Sequence, residues 1–412
     1  MRQIKKYYLI IILCLTTSLA SGCWSRREIG DLAIVGGMAI DVTKKNGKTK
    51  YQVILNILQP SQLGGGQTSA GMGGKGGTAE TAKATWQMMG EGDTIYDAIK
   101  DVSFRSPRSL FFSHMRYVIF SEEVAREGLH KILDFFNRYR EIRLRTYLLM
   151  GKGSIKEIIK TFPELEPTHA EELEKIAEIT LMENSRFLMT DIKRFTENMI
   201  EPGIDPVVGL VEIVDESPDL GSKQTIKTMT FKGGAAFRGD KLAGLLNEDE
   251  MRGYLIAIGK ANGGIFPINM GQDESMVSVE LTKKVSSNLK VEVEKNRLKV
   301  KISILAFGEL EEHQSLNKIA TSEQMQKLDD IFSKTISNEV RATVKKAQEY
   351  KTDIFGIGQA LERSDPQTWK KIKKDWPEYF SQSQVTIDVQ AHVQRNGLIS
   401  DTPVPDTSIP EQ

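Results

Sequence analysis

The chain has 412 residues, 40% of them apolar and 27% charged, an ordinary globular composition with material for a sizeable core. Lys plus Arg equals Asp plus Glu at 55 each, so net charge draws the chain neither to nucleic acid nor to a membrane. Only two cysteines occur, Cys14 and Cys23, too few for a disulfide framework.

The first element is a signal. Arg2, Lys5 and Lys6 precede an apolar stretch over residues 7–19, long enough for a signal peptide and short of the roughly 20 residues that span a bilayer. Ala20, Ser21 and Gly22 then lead to Cys23. The arrangement resembles a bacterial lipoprotein signal, although Ala20 stands where such signals usually carry Leu, with Leu19 one step back. The resemblance implies that residues 1–22 are removed and that Cys23 becomes the acylated first residue. Cys14 leaves with the signal, so thiol catalysis and cysteine-ligated zinc are excluded from the domains. No later stretch is apolar for 18 residues. At least a diacylglycerol is expected on such a cysteine, and multiple acyl chains anchor stably where one does not.

Residues 31–42 predict a strand with Gly36 and Gly37 at a bulge, and residues 51–58 its partner. Residues 62–78, rich in Gly, Ser and Ala, predict a long loop. A helix follows over residues 94–104, with Ile95, Ala98, Ile99 and Val102 on one face. Residues 115–120 read as a short strand, and Ser121 caps a helical stretch facing Val124, Leu129, Ile132, Leu133 and Phe136 inward. Residues 146–150 read as a strand, and Ser154 opens a helix that ends before Pro163. Residues 168–199 carry a helical pattern with Leu173, Ile176, Ile179, Ile192 and Phe195 as core candidates. Pro202, Gly203 and Pro206 break it and predict the main domain boundary. Beyond it, Val277, Val279 and Leu281, then Leu289, Val291 and Val293, then Leu298, Val300, Ile302 and Ile304 alternate as antiparallel strands joined at Lys295 and Asn296. Thr321 with Gln324 predicts a capping box for a long helix buried at Met325, Leu328, Phe332, Ile336, Val340, Val344 and Ala347. Val385, Ile387, Val389, Ala391 and Val393 return to strand alternation, and the proline-bearing tail from Ser400 predicts disorder. The expected class is α+β and multi-domain, with a C-terminal antiparallel sheet covered by a long helix. The expected parts are the signal peptide 1–22, an N-terminal α+β region 23–203, a C-terminal α+β domain 204–399 and a tail 400–412.

No motif for chemistry emerges. Gly71, Gly73 and Gly76 match a dinucleotide fingerprint in form, but they lie inside a Gly/Ser loop with no helix opening behind them. His114, His130, His169, His313 and His392 form no metal-spaced pair. Glu248, Asp249 and Glu250 follow Asn247, as helix-capping charges do. Trp369, Ile372 and Trp376 lie at helical spacing among Lys370, Lys371, Lys373 and Lys374; this reads as core packing with solvated lysines. No catalytic residue, metal or cofactor is expected.

Several segments together carry a family resemblance. Cys23, Trp24, Arg27, Glu28, Ile29 and Asp31 open the mature chain, and His114 and the stretch 138–143 follow. The most specific segment is 234–253, with Lys241, Gly244, Glu250 and Gly253; residues 350–356 and 369–376 complete the set. These resemble the Ger(x)C family, the C subunits of spore germinant receptors. The resemblance covers nearly the whole mature chain. It implies three α+β domains on the outer face of the spore inner membrane, lipid-anchored at Cys23 and assembled with integral-membrane A and B subunits. The role implied is non-catalytic, in assembly or signalling. Residues 241–253 are expected to be a strand-turn-helix core element rather than a docking surface. The alternative function is that of a lipid-anchored solute-binding protein of a transporter.

Overall fold

Two β-sheets organise the computed structural model, which describes residues 6–8, 29–45, 47–59, 85–161, 168–216, 225–270, 276–294, 297–314 and 322–395. The rest of the signal with Cys23, the stretch 62–78, Lys295 and Asn296, Thr321 and the tail from Ser400 lie outside the described residues.

In the first sheet, β1 (Leu32–Lys45) and β2 (Lys48–Leu58) form an antiparallel hairpin that β3 (Thr85–Gly92) extends. The register slips between Val35 and Gly37, where the paired glycines predict a bulge. Thr94 caps α1 (Ile95–Ser103), and all four expected core residues of that helix are buried. β4 (Ser109–Phe111) and β5 (Tyr117–Ser121) run parallel to β1. Ser121 caps α2 (Glu122–Glu127), and Gly128 at φ 114° separates it from α3 (His130–Arg138). β6 (Tyr147–Lys152) is parallel to β5, and Ser154 caps α4 (Ile155–Lys160).

The helical pattern expected over 168–199 is not one helix. α5 (His169–Ile179) passes into a π-helical turn, Thr180–Asn184, and Ser185 ends it in the left-handed region at φ 50°. β7 (Thr190–Asp191) and α6 (Ile192–Ile200) follow. Ile179 is 52% exposed rather than core: six positions after the buried Leu173, it stands about 120° round the helix from that face. The boundary expected at 203 does not divide the sheets either. β8 (Val207–Glu216) pairs with β6 in parallel, and β9 (Ile226–Arg238) and β10 (Lys241–Leu246) extend the same sheet antiparallel. The order is β10-β9-β8-β6-β5-β1-β2-β3, with four parallel strands at its centre.

Helices cover both faces of this sheet. Val118 and Phe120 pack beside α1, α2, α3 and α6, whereas Tyr117 and Ile119 pack beside α4 and α5. Period-two alternation with both phases apolar is what a sheet buried on two faces requires.

The second sheet is entered through α7 (Glu248–Ala257). It contains β11 (Ile265–Asn269), β12 (Met276–Leu281), β13 (Ser286–Glu294) and the 17-residue β14 (Arg297–His313). These pair antiparallel as the alternation predicts. The long helix α8 (Ser322–Tyr350) buries six of its seven expected core residues, while Met325, in its first turn, is only half-buried. Short helices α9 (Ile357–Ser364), α10 (Pro366–Ile372) and α11 (Trp376–Ser381) lead to β15 (Gln384–Arg395). β15 runs parallel to β14, so the sheet is antiparallel save for this one pairing. A long helical crossover permits that direction, which a hairpin could not.

Candidate functional site

The two sheets do not pack as separate bodies. Val207, Ala236 and Leu246 from the first share one apolar cluster with Leu255, Val340 and Ile357 from the second unit. Three of the sequence segments singled out above converge there.

Residues 241–253 form β10, a turn and the start of α7, as a core element should. Asn247 and Glu250 make the reciprocal capping box of α7, and Glu248 and Asp249 stand in its first turn. Arg252, only 4% exposed, points inward. Its Nε donates to Glu339 Oε2 at 2.8 Å, its Nη1 to the Ile265 carbonyl at 2.9 Å, and its Nη2 to Glu339 Oε1. The guanidinium lies 3.9 Å from the Phe266 ring centroid. Burial pushes the Glu339 carboxyl above the usual carboxylate range, and Arg252 opposes that push. Gly253 lets α7 approach α8: a Cβ there would sit 2.4 Å from Thr343 Oγ1 and 2.6 Å from the Glu339 carbonyl oxygen. Thr343 Oγ1 also donates to the Glu250 carbonyl at 2.7 Å.

Residues 350–356 close the other side. Tyr350 donates to the Leu245 carbonyl at 3.0 Å, and its ring covers Gly244. Thr352 donates to the Phe237 carbonyl at 2.5 Å. Asp353 is fully buried. Its Oδ1 accepts from the Phe355 and Ile357 peptide nitrogens at 3.2 and 3.1 Å, and its Oδ2 from Gly358 at 2.8 Å and from Trp376 Nε1 at 3.1 Å. Asp205, just before β8, accepts from the peptide nitrogens of Gly239 and Asp353 at 3.0 and 2.9 Å. Burial, with Asp205 nearby, pushes the Asp353 carboxyl up to about 7 against the pull of its donors. A carboxylate has about four acceptor directions. Asp353 fills all four with fixed N–H donors, so it ties four points of the chain together and keeps no lone pair for a substrate.

The tryptophans pack as the helical spacing predicts: Trp369 and Trp376 are buried, with ring centroids 5.0 Å apart. Sequence reasoning did not single out Asp205 or Glu339. Asp205 hid among the chain breakers. Glu339 borders the apolar face of α8, one position before Val340, and nothing linear ties it to Arg252. His130 pairs with Asp240 at 2.7 Å and His392 with Asp329 at 3.4 Å, each on the surface. Among the described residues no group of three or more His, Cys, Asp or Glu side chains could hold a metal ion, and no helix is long and apolar enough to cross a membrane. Cys23 lies outside the described residues, six positions before Ile29.

A groove of about 650 Å³ lies between α1 and α3, lined by Tyr51, Ile95, Tyr96, Phe135 and Tyr139. Phe135 stacks on Tyr139 at 5.3 Å. Its rim charges Asp93 and Asp134 are engaged by Lys50 and Arg138. It offers aromatic contact and no nucleophile beside a base.

Comparison with known proteins places the chain. The family model described as "Spore germination protein N-terminal domain" matches residues 25–213, and "Spore germination B3/ GerAC like, C-terminal" matches residues 232–397. The chain belongs to the Ger(x)C family of spore germination proteins. YfkR of Bacillus subtilis (strain 168) is 29% identical over 97% of this chain and 99% of its own length. Spore germination protein KC of the same organism is 24% identical over 96% of this chain and 97% of its own. The crystal structure of the GerBC protein shares the fold, with a TM-score of 0.54 at 21% identity, covering 86% of this chain and 97% of that one. The two family models meet around the β8–β9 hairpin, inside one sheet, rather than at residue 203.

Proposed function

We propose that this chain is the lipid-anchored C subunit of a nutrient germinant receptor, held on the outer face of the spore inner membrane beside integral-membrane A and B subunits. The observation that carries the reading is the position of Cys23. The N-terminal family model begins at residue 25, so only Trp24 separates the acylation site from the family domain. A short apolar signal with small residues before a cysteine is the pattern that bacterial lipoprotein signals share, which supports an anchor at that residue. The role is assembly and signalling rather than catalysis: the buried carboxylates are committed to peptide, indole or guanidinium donors of the chain itself, and the conspicuous family segments build the inter-sheet junction. Anchoring raises the effective concentration of the subunit next to its membrane partners without any new contact.

The test is Cys23→Ala, followed by fatty-acid labelling, spore membrane fractionation and nutrient-induced germination. The expected result is loss of label, loss of the chain from the membrane fraction and a germination defect. Full membrane retention with normal germination sinks the anchor reading. Failure of the unaltered chain to co-purify with A and B subunits from detergent-solubilised spore membranes sinks the receptor reading.

A further inference from the structure

One end of the first sheet gathers what a bilayer surface recognises. The central strands β1, β5 and β6 are parallel; the starts of β5 and β6, Tyr117 and Tyr147, lie together beside Gly37 of β1, whose first residues from Leu32 extend past them at the same end. The loops feeding those starts carry Arg116, Arg143 and Arg145, which with His114 line one shallow cavity. Arg108 precedes β4, which pairs with the first residues of β1. Arg105 ends the turn after α1. Arg105 and Arg116 have carboxylate partners, Asp101 and Glu174. The exposed side chains of Arg108, Arg143 and Arg145 make no ion pair among the described residues. The acidic groups at this end are Asp31, Glu141, Glu174, Glu178 and Asp191, so the basic character rests on the three arginines without an ion pair rather than on an excess of positive charge.

Large apolar groups stand beside them. Phe104, at the end of α1, is 87% exposed, and Trp86, near the start of β3, is 41% exposed. Trp86 lines a second small cavity together with Ala33, Pro107 and Arg108, which fixes the aromatic and basic groups on one end. Isolated exposed hydrophobics are ordinary, but a bare Phe and a half-bare Trp among arginines are the composition of a membrane interface.

Chain length decides which end faces the lipid. Six Cα steps separate Cys23 from Ile29, and they span at most about 21 Å. β1 then leads away over 14 residues, about 43 Å at ~3.3 Å per step. The hairpin tip at Lys48 is therefore beyond the reach of the tether, and the strand-start end is within it.

We infer that this end of the first sheet is a bilayer-contacting face, with Phe104 and Trp86 entering the headgroup layer and Arg108, Arg143 and Arg145 set against anionic phosphates. The inference rests on the anchor reading for its orientation. The lipid fixes distance, and the face fixes which way the domains stand.

The test uses the full mature chain, in which acylation of Cys23 leaves no free thiol. Phe104→Cys, at a site too exposed to unsettle the fold, carries an environment-sensitive fluorophore, with Lys48→Cys as the control. Each is reconstituted through its anchor into phosphatidylcholine vesicles, with or without an equal share of phosphatidylglycerol. The expected result is a blue shift at position 104 in anionic vesicles only. That shift is abolished near 1 M salt, where the Debye length falls to about 3 Å. It is also abolished by Arg108→Glu/Arg143→Glu/Arg145→Glu, and position 48 stays aqueous throughout. An aqueous probe at 104 in anionic vesicles overturns the inference. So does a shift that needs A and B subunits rather than anionic lipid, which would make the face a protein contact. Labelling of the unsubstituted chain reports a free Cys23, so failure of the anchor is read separately from failure of the face.

Discussion

Removing the Arg252 guanidinium tests whether the motif at 241–253 is a core element. Arg252→Met keeps most of the aliphatic bulk but deletes the hydrogen bonds to Glu339 and Ile265 and the contact with Phe266. Glu339, 13% exposed, is left without its counter-charge. Breaking one side of a buried pair costs about 3–5 kcal/mol, most of it the penalty of the stranded charge. Glu339→Leu alone strands the cation instead and falls in the same range. The double variant Arg252→Met/Glu339→Leu strands no charge, losing only the hydrogen bond to the Ile265 carbonyl, and should return to within roughly 1.5 kcal/mol of the parent. Urea midpoints for the four chains at neutral pH give the coupling energy, expected above about 2 kcal/mol. The single Arg252→Met variant also has a pH signature. Burial already raises the Glu339 pKa, and losing Arg252 raises it further. The folded state then holds the proton more tightly than the unfolded state, so the deficit shrinks on acidification and grows as pH rises. A deficit under about 0.5 kcal/mol, or single costs that simply add in the double variant, would refute the assignment of this pair to the core.

Gly253→Ala drives a Cβ into Thr343 and the α8 backbone, so a loss of at least about 2 kcal/mol in chemical denaturation is expected; an unchanged midpoint would mean the helices part freely. Asp353 ties stability to pH: with its pKa raised from 3.8 to about 7, its contribution is fully present below pH ~4 and is lost as pH rises through 7, by ~4 kcal/mol in full. The difference in unfolding free energy between the parent and Asp353→Asn should therefore slope across that window, and a flat difference would place the ionisation elsewhere. Trp376→Phe keeps the ring packing but removes one donor from Asp353, for which a cost of about 1–3 kcal/mol by thermal unfolding is expected; no loss would make that hydrogen bond incidental.

Much of the fold was legible because it is local. Apolar residues at every second position marked β12, β13, β14 and β15, and residues three or four apart marked α1 and α8. The Asn247 cap and the bulge at Gly36 and Gly37 were readable from residue type alone. What was not legible depends on partners distant in sequence. Pro202, Gly203 and Pro206 break a helix, but whether the strand after them begins a new sheet or rejoins the old one is decided by β6, more than 50 residues earlier. The parallel direction of β15 is likewise set by the length of the crossover, not by its own alternation. At the junction, residue types misled in one respect. Arg252 stands in a run of charges that looks solvated, and its burial follows from Glu339, 87 positions away. Asp205 and Asp353 meet across 148 positions, and each alone resembles a turn residue.

The shared core bears on how such a subunit can take part in signalling. Opening the two sheets like a hinge would expose Val207, Leu246 and Leu255 together, at about 1.5–3 kcal/mol per side chain, and would break the hydrogen bonds from Tyr350, Thr352 and the Asp353 peptide nitrogen to Leu245, Phe237 and the Asp205 carboxylate. Both penalties fall on the same surface, because the segments that supply the apolar contacts also supply the hydrogen bonds. A conformational change confined to that surface is therefore disfavoured by more than a typical coupling free energy of 1–3 kcal/mol can supply. In the proposed lipid-anchored receptor subunit, the two sheets would therefore move as one lever relative to the membrane. A push on the second sheet from a proposed partner subunit would be delivered, through the junction, to the arginine-bearing end of the first, where the chain leads back to Cys23.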